Sequence, residues 1–242
     1  MLLALSGVAA AENLTLTTGI KHNNTIYNGY TSEIGSDSNY GNLGGTSNYT
    51  VSNISCTYDP WAGTASSITF NVSIKDLFNA TSIADTDTIT LNSFTIKAQA
   101  NGWAMDSNRV ITLYDGADAN GTVITTKTLN PPQGTSYVDS TTGELTLSNL
   151  NYSGLTKNSK LTLTLTNSAN NDGCSVAIAT TSTAGAEWSG VSSVTLTEGS
   201  IQTTGTPLVS LNITTASVPE PTTATLSLLA LAGLAARRRR NK

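Results

Sequence analysis

The chain has few of the residues on which most enzymes depend. Among its 242 residues there are one histidine and two cysteines, and aromatic residues make up only 6%. The single histidine, His22, excludes the usual zinc patterns and leaves a Ser-His-Asp or Cys-His arrangement without support, since Gly-x-Ser-x-Gly is also absent. We therefore interpret His22 as a solvated loop residue and expect neither an enzyme nor a tightly bound cofactor.

Positive charge is scarce outside the C-terminus. The formal net charge is −4, from 12 basic and 16 acidic residues. Without residues 218–242, the body keeps 7 basic and 15 acidic residues, a net charge of −8, and Arg109 is its only arginine. Nucleic-acid binding needs lysine and arginine to neutralise phosphates, so this balance excludes nucleic acid as a partner.

Apolar residues alternate with polar ones along most of the body, in a background rich in threonine, serine, asparagine and glycine. Residues 68–74 are the clearest case, with apolar side chains on one face and polar ones on the other, which is typical of a half-buried strand. About ten or eleven such short strands predict an all-β fold, a β-sandwich or jelly-roll-like body with a single C-terminal hydrophobic helix. A β-helix is the alternative, but no fixed-period repeat is present.

Local signals predict several breaks in this pattern. A change of parity at Asn92 and Ser93 predicts a bulge, and the Asp- and Gly-rich residues 115–121 predict a hairpin turn. Residues 21–46 show little periodicity and predict a long loop or an irregular edge. Residues 75–84 are the only stretch that predicts a short helix, and the double proline at 131–132 is the only candidate domain boundary.

The N-terminus and the cysteines both indicate an exported protein. Residues 1–11 have an apolar core that ends in small residues, like the second half of a secretory signal, although a basic leading region is missing. In an exported chain, the two cysteines Cys56 and Cys174 form a candidate disulfide. Two buried free thiols are the alternative, because the sequence does not show whether the two residues are adjacent.

The three tryptophans lie beside loop signals and are candidate sugar-binding residues. They are Trp61, Trp103 and Trp188. An indole ring offers a flat apolar face to a pyranose ring, and nearby asparagine or aspartate side chains supply hydrogen-bonding groups. The alternative is that each tryptophan packs at an end of the core.

Acidic residues suggest two further sites. Asp115, Asp118 and Asn120 offer hard oxygen ligands in a tight turn, as calcium sites do, although the spacing differs from the Asp-x-Asp-x-Asp-Gly loop and a plain hairpin turn is the alternative. Glycoside hydrolysis needs paired carboxylates. Glu144 and Glu187 are the residues to test for it, although the Glu-x-Asp-x-x-Glu strand motif of laminarinase-like hydrolases is absent.

The C-terminal residues 218–242 combine three elements in a fixed order. Pro-Glu-Pro at 219–221 separates the body from an apolar run of good helix formers, residues 222–236. This run is shorter than the roughly 20 residues of a full bilayer crossing. Four consecutive arginines follow and predict a cytoplasmic end. The residues that we assign to this signal are Pro219, Glu220, Pro221, Arg237, Arg238, Arg239 and Arg240.

This order resembles the PEP-CTERM protein-sorting signal of Gram-negative bacteria that make exopolysaccharide. The resemblance is confined to the tail and implies nothing about the fold of the body. It implies that an exosortase, a membrane transpeptidase-like enzyme, cleaves near the Pro-Glu-Pro and passes the body to the cell surface or matrix. The C-terminal helix would then hold the protein in the inner membrane only transiently.

The sequence thus predicts an exported, surface-sorted, non-catalytic β-sandwich protein of the cell envelope or exopolysaccharide matrix. Its predicted parts are a signal remnant at 1–11, a β-sandwich body at 12–217 and a sorting signal at 218–242. A carbohydrate-binding, lectin-like module with polysaccharide as its partner is the first alternative, and a glycan-acting hydrolase is the second. Ice binding through ranks of threonine is disfavoured because a solenoid repeat is absent.

Overall fold

The fold is described from a computed structural model. The described residues are 11–30, 40–42, 47–56, 67–97, 109–129, 139, 142–167, 174–181, 187–191, 195–196 and 206–217. Residues 40–42, 47–56, 109, 167, 174–181 and 195–196 are described by their backbone alone. Nearly all of the predicted signal remnant, the double proline at 131–132 and the whole tail at 218–242 lie outside the described residues.

The described part of the chain is predominantly β, which confirms the predicted class. Its strands, in chain order, are β1 Ala11–Thr17, β2 Gly19–His22, β3 Thr25–Asn28, β4 Tyr40–Asn42, β5 Ser47–Cys56, β6 Ser67–Ser73, β7 Thr88–Lys97, β8 Arg109–Asp115, β9 Thr122–Leu129, β10 Glu144–Leu147, β11 Tyr152–Leu155, β12 Lys160–Asn167, β13 Cys174–Thr181, β14 Glu187–Ser189, β15 Thr195–Leu196, β16 Thr206–Pro207 and β17 Val209–Ala216.

These strands form four antiparallel sheets. Sheet I has the order β1-β17-β7-β10, and β11 also pairs with β7. Sheet II has the order β15-β6-β12-β8-β9, and sheet III the order β16-β13-β5-β4. Sheet IV is the three-stranded set β14-β2-β3. Many neighbours are distant in sequence, so the fold depends on long-range pairing rather than on a simple succession of hairpins.

Strict alternation explains why sheet II forms. In β6, every second side chain is buried, and β12 places Leu163 opposite Phe70 and Leu161 opposite Val72. Because directly opposed residues in a sheet project from the same face, the leucines of β12 extend the apolar face of β6. The threonines between them take the other face, as the sequence pattern predicts.

The inward faces of sheets I and II contribute to one continuous apolar cluster. Sheet I supplies Phe94 from β7 and Leu211 from β17, and sheet II supplies Phe70 and Leu163, all of them buried. The segment between β6 and β7 adds buried Leu77 and other apolar residues. At about 25 cal/mol per Å² of apolar area, burial of this cluster is the main favourable contribution to folding.

Two predicted irregularities are confirmed. The pairing of β17 with β7 takes Asn212 to Ser93 and Ile213 to Leu91, so Asn92 is the extra residue of a bulge. The carbonyl of Asn92 accepts a hydrogen bond from the backbone N–H of Leu150 at 3.0 Å. The predicted hairpin is also present, since β8 and β9 pair across the turn after Asp115.

Two predictions of local structure are wrong. Residues 21–46 are predicted to form a long loop or an irregular edge, but β2 and β3 make a regular tight hairpin over residues 19–28. Its turn residues, Asn23 and Asn24, have φ angles of 49° and 61°, the positive values that a two-residue turn matching the strand twist requires. His22 therefore closes a strand and is opposite Thr25.

The short helix predicted at 75–84 is replaced by two 3-10 turns, Ile74–Asp76 and Ala80–Ser82. Between them, Asn79 has a positive φ of 71°, which interrupts a continuous α-helix. Within the described residues, no helix is long and apolar enough to cross a membrane. The predicted C-terminal hydrophobic helix lies in the tail, outside those residues.

Candidate functional site

Sheet IV places a lysine on the face that borders sheet II. Lys21 of β2 is opposite Ile26 of β3 on one side and opposite Glu187 of β14 on the other. Directly opposed residues share a face, so these three side chains project from the same surface. Lys21 and Glu187 are both exposed to solvent.

A glycine joins this surface to sheet II. The backbone N–H of Ser73 donates a hydrogen bond of 2.7 Å to the carbonyl of Gly190, and Val72 bridges to Val191. Gly190 has a φ of +89°, and a Cβ at this position would collide with the side chain of Leu77. A glycine is therefore required for β14 to end against β6 in this way.

Between these elements lies a groove of about 770 Å³. This volume falls in the range of small-ligand sites, about 300–1,000 Å³. The groove residues are Lys21, Asn24, Ile26, Asn71, Ser73, Lys75, Asp76, Ala117, Lys160, Trp188, Ser189, Gly190 and Val191. They come from β2 and β3, the end of β6, the first 3-10 turn, the β8–β9 turn, the start of β12 and the end of β14.

The groove concentrates positive charge. Lys21, Lys75 and Lys160 line it and are exposed, whereas Asp76 is the only carboxylate among the lining residues that the structure describes. Within the described part of the chain, none of the three ammonium groups pairs with a carboxylate. By contrast, Lys157 lies outside the groove, and its Nζ is 3.8 Å from Oδ1 of Asp85. The same ammonium group donates a hydrogen bond of 2.8 Å to the carbonyl of Ile83.

Of the three candidate sugar-binding tryptophans, only Trp188 lies among the described residues. It is half-buried in β14, and its ring packs over Gly29, where an added Cβ would approach Cζ3 to 2.5 Å. The indole Nε1 is buried as well. Trp188 therefore combines a place along the groove with packing inside the fold. Trp61 and Trp103 lie outside the described residues, so their role stays a prediction.

The three candidate calcium ligands take part in the β8–β9 turn. The carboxylate of Asp115 accepts a hydrogen bond of 2.9 Å from the hydroxyl of Tyr152, and Asp118 Oδ1 accepts one of 2.8 Å from the backbone N–H of Asn120. Within the described ranges, no group of three or more His, Cys, Asp or Glu could hold a metal ion. Calcium binding, which would also draw on Asn120, stays a prediction.

Glu144 lies in a second polar cluster. Its carboxylate accepts a hydrogen bond of 2.8 Å from the hydroxyl of Tyr30, and the ammonium of Lys97 lies 4.9 Å from the centre of the Tyr30 ring. Burial, with further help from the hydrogen bond and the charge of Glu144, raises the pKa of Tyr30 well above its ordinary value of 10.0. Of the two glutamates selected as candidates for glycoside hydrolysis, Glu144 is in sheet I and Glu187 is in sheet IV.

Stability is expected to fall at high pH because of Tyr30. Above pH 10, its hydroxyl ionises in the unfolded chain but stays protonated in the folded one. Ionisation therefore stabilises the unfolded state, and the free energy of unfolding falls. The contribution is fully present below pH 10 and is lost as pH rises, by up to about 1.4 kcal/mol per pH unit. Tyr30→Phe should lose less stability than the wild type in urea unfolding between about pH 10 and 11.5.

Glu144→Gln is the matched comparison for this effect. Its unfolding curve should lose stability at a rate between those of the wild type and Tyr30→Phe, because burial is the larger cause of the shift and remains. Parallel loss of stability with pH in the wild type and Tyr30→Phe would show that Tyr30 ionises equally in both states.

The body ends next to the tail that carried the sorting prediction. β17 ends at Ala216, where it is opposite Ala11, the first residue of β1. Residues 217–240 match the PEP-CTERM protein-sorting motif. No curated protein and no solved structure matches the chain.

The match confirms the resemblance predicted from the order of residues in the tail. The PEP-CTERM motif implies export and sorting to the cell envelope, and recognition by an exosortase-type processing enzyme. It points to a sorted cargo protein. The motif begins directly after the last strand, so a very short segment joins the folded body to the sorting residues Pro219, Glu220 and Pro221.

The PEP-CTERM motif was predictable from sequence, but the groove was not. Its lysines, at positions 21, 75 and 160, are far apart in the chain and belong to no short motif. The hairpin that holds Lys21 had one usable signal, the Asn23-Asn24 pair between two β-compatible runs. The placement of sheet IV against β6 has no local signal that would reveal it.

Proposed function

We propose that the chain is an exported, surface-sorted, non-catalytic β-sandwich protein of the cell envelope or exopolysaccharide matrix. The observation that carries this proposal is the PEP-CTERM match at 217–240, directly after the last strand of the body. In the proposed sequence of events, the tail anchors the protein transiently in the inner membrane of a Gram-negative bacterium. An exosortase-type enzyme then cleaves near Pro219–Pro221 and passes the body to the surface.

The sandwich part of the proposal rests on the shared core. Sheets I and II each contribute buried side chains to one apolar cluster, which is how two stacked antiparallel sheets become a folding unit. A role other than glycoside hydrolysis is supported by the groove, where Asp76 is the only carboxylate among the described lining residues. Glycoside hydrolysis normally needs two carboxyl groups facing one bond, about 5–10 Å apart.

The sorting step is tested by replacing Pro219, Glu220 and Pro221 together with alanine in a host that has the processing enzyme. The wild-type protein recovered from the cell surface is expected to have lost the tail mass, whereas the variant should keep it and stay in the membrane fraction. Intact-protein mass spectrometry of both fractions measures this difference. A double variant at exposed positions of the body, Ser148→Ala with Ser153→Ala, lies outside the motif and is the control, which should be processed normally.

The proposal is overturned if the triple variant is processed and released like the wild type. The same masses also test the predicted N-terminal cleavage near residues 9–11 and the state of the cysteines. Those two readouts do not depend on the tail, so they separate a failure of export from a failure of sorting.

A further inference from the structure

The strongest unexplained feature of the body is the distribution of its positive charge. The body has 7 basic and 15 acidic residues, yet three of its lysines line one groove. Charges of one sign in a cleft with low-dielectric walls focus the local field and attract oppositely charged ligands. Among its described lining residues, the groove thus has three lysines and one aspartate, whereas the body as a whole has more acidic than basic residues; the exposed Glu187 opposite Lys21 is a further carboxylate on that surface.

The backbone of the lysine-bearing segments is fixed by hydrogen bonds. The carbonyl of Lys160 accepts a hydrogen bond of 2.9 Å from Gly116 N–H, and Lys160 is opposite Ser73 in the pairing of β12 with β6. Lys75 lies in the first 3-10 turn, directly after Ile74, whose N–H donates to the carbonyl of Ser159 at 3.2 Å. The backbones that carry Lys75 and Lys160 are thus fixed by hydrogen bonds, so ligand binding would have to order only their side chains.

The remaining polar groups of the groove suit sugar hydroxyls. Asn24 is exposed in the β2–β3 turn, and its amide can both donate and accept hydrogen bonds. Asn71 also lines the groove, where the hydroxyl of Thr162 donates a hydrogen bond of 2.7 Å to its Oδ1. The carboxylate of Asp76 accepts hydrogen bonds only, so it suits the hydroxyl groups of a sugar.

We propose that the groove lined by Lys21, Lys75 and Lys160 binds a segment of an acidic polysaccharide that carries carboxylate groups, such as a polyuronate. The lysines would contact the carboxylates, and Asp76 and Asn24 would contact the hydroxyls between them. This inference names a ligand for the proposed role in the exopolysaccharide matrix, and it rests on that proposed function. A nucleic acid fits less well, because its sugar-phosphate backbone offers fewer hydroxyl groups to Asp76 and Asn24.

The test measures binding of the full chain, purified in detergent, to sodium alginate and to neutral dextran by isothermal titration calorimetry. The groove variant is Lys75→Gln with Lys160→Gln, and the matched control is Lys127→Gln with Lys157→Gln. Both variants remove two positive charges, so they change the overall field equally. Alginate affinity is expected to fall about tenfold in the groove variant and to stay within about twofold of the wild type in the control.

Wild-type affinity for alginate should also fall as salt rises from about 50 to 500 mM, because exposed charge contacts are screened. The proposal is overturned if wild-type protein does not bind alginate, if it binds dextran equally well, or if both variants lose affinity equally. Equal affinity for single-stranded DNA of matched charge would also overturn it in favour of a general polyanion surface. These measurements need no processing enzyme, so they can fail while sorting succeeds, and the reverse.

Discussion

Phe94→Ala is expected to lower the free energy of unfolding by about 3–5 kcal/mol. Phe94 is fully buried in β7, where its cross-strand partners are Leu147 of β10 and Leu211 of β17, both buried. Deleting the ring removes its transfer free energy and leaves a cavity that these flanking strands cannot close. Since a domain is typically stable by only about 5–15 kcal/mol, the variant should lose a large part of its stability.

Urea unfolding followed by circular dichroism measures the effect, with Thr95→Ala as the control in the same strand. Thr95 projects from the opposite face, where its hydroxyl lies 3.0 Å from that of Thr146 at an exposed position. Losing that hydrogen bond should cost about 1 kcal/mol or less. Equal losses in Phe94→Ala and Thr95→Ala would contradict the assignment of the inward face of β7 to the core.

Phe70→Ala extends the same experiment to sheet II. Phe70 is 1% exposed and belongs to the same apolar cluster as Phe94. If the two sheets form one sandwich, each variant should shift a single cooperative transition that reports on both sheets. Two separate transitions, one for each variant, would contradict the proposed sandwich.

The elements that sequence alone predicted well share a physical cause. Strands β6 and β12 have one buried face, so their side chains must alternate, and a shift of one residue would expose the whole apolar set. The bulge at Asn92 was visible for the same reason, because an extra residue reverses the parity of the apolar pattern in β7. A strand with one strongly buried face can therefore be recognised in the sequence by its alternating apolar residues.

The elements that were not predicted from sequence show no such alternating pattern. The β2–β3 hairpin is rich in polar residues, and its side chains are mostly exposed or half-buried, so no face is marked by a regular period. The 3-10 turn at Ala80–Ser82 starts after Asn79, which has a positive φ. Asparagine adopts such an angle more readily than most residues, but its presence alone does not predict it. In both places, the turn chemistry of asparagine decides the structure.

The candidate site was the least predictable part of the molecule. Lys75 and Lys160 are neighbours through the pairing of β12 with β6, and Lys21 lines the same groove because sheet IV lies against the end of β6, through the contact of Ser73 with Gly190. That contact depends on a glycine with positive φ and on the position of Leu77. Tertiary packing of this kind places residues together without any short motif. The PEP-CTERM motif, by contrast, is a continuous segment of the chain and implies recognition by an exosortase-type enzyme.

Removing the predicted disulfide is expected to lower the free energy of unfolding by about 5 kcal/mol in the chain-entropy model, since the bond would close a loop of more than about 100 residues. The backbone pairing of β5 with β13 makes Cys56 and Cys174 direct Cα partners. Opposed residues on antiparallel strands have Cα atoms about 4.5 or 5.5 Å apart, and disulfides span about 4.4–6.8 Å. The strand register therefore meets the distance condition that the sequence left open.

The double variant Cys56→Ala with Cys174→Ala tests this in guanidinium unfolding, and the wild type under reducing conditions should match it. The neighbouring register pair is the control, because Ser55→Ala with Ser175→Ala alters the same two strands without breaking a covalent link. Its stability should remain within about 1 kcal/mol of the wild type. Alkylation of both thiols in the untreated, exported protein would contradict the bond, since a closed disulfide has no thiolate to react. A bond between β5 and β13 would thus hold together two strands that are distant in the chain in a protein proposed to work outside the cell, where oxidising conditions preserve it.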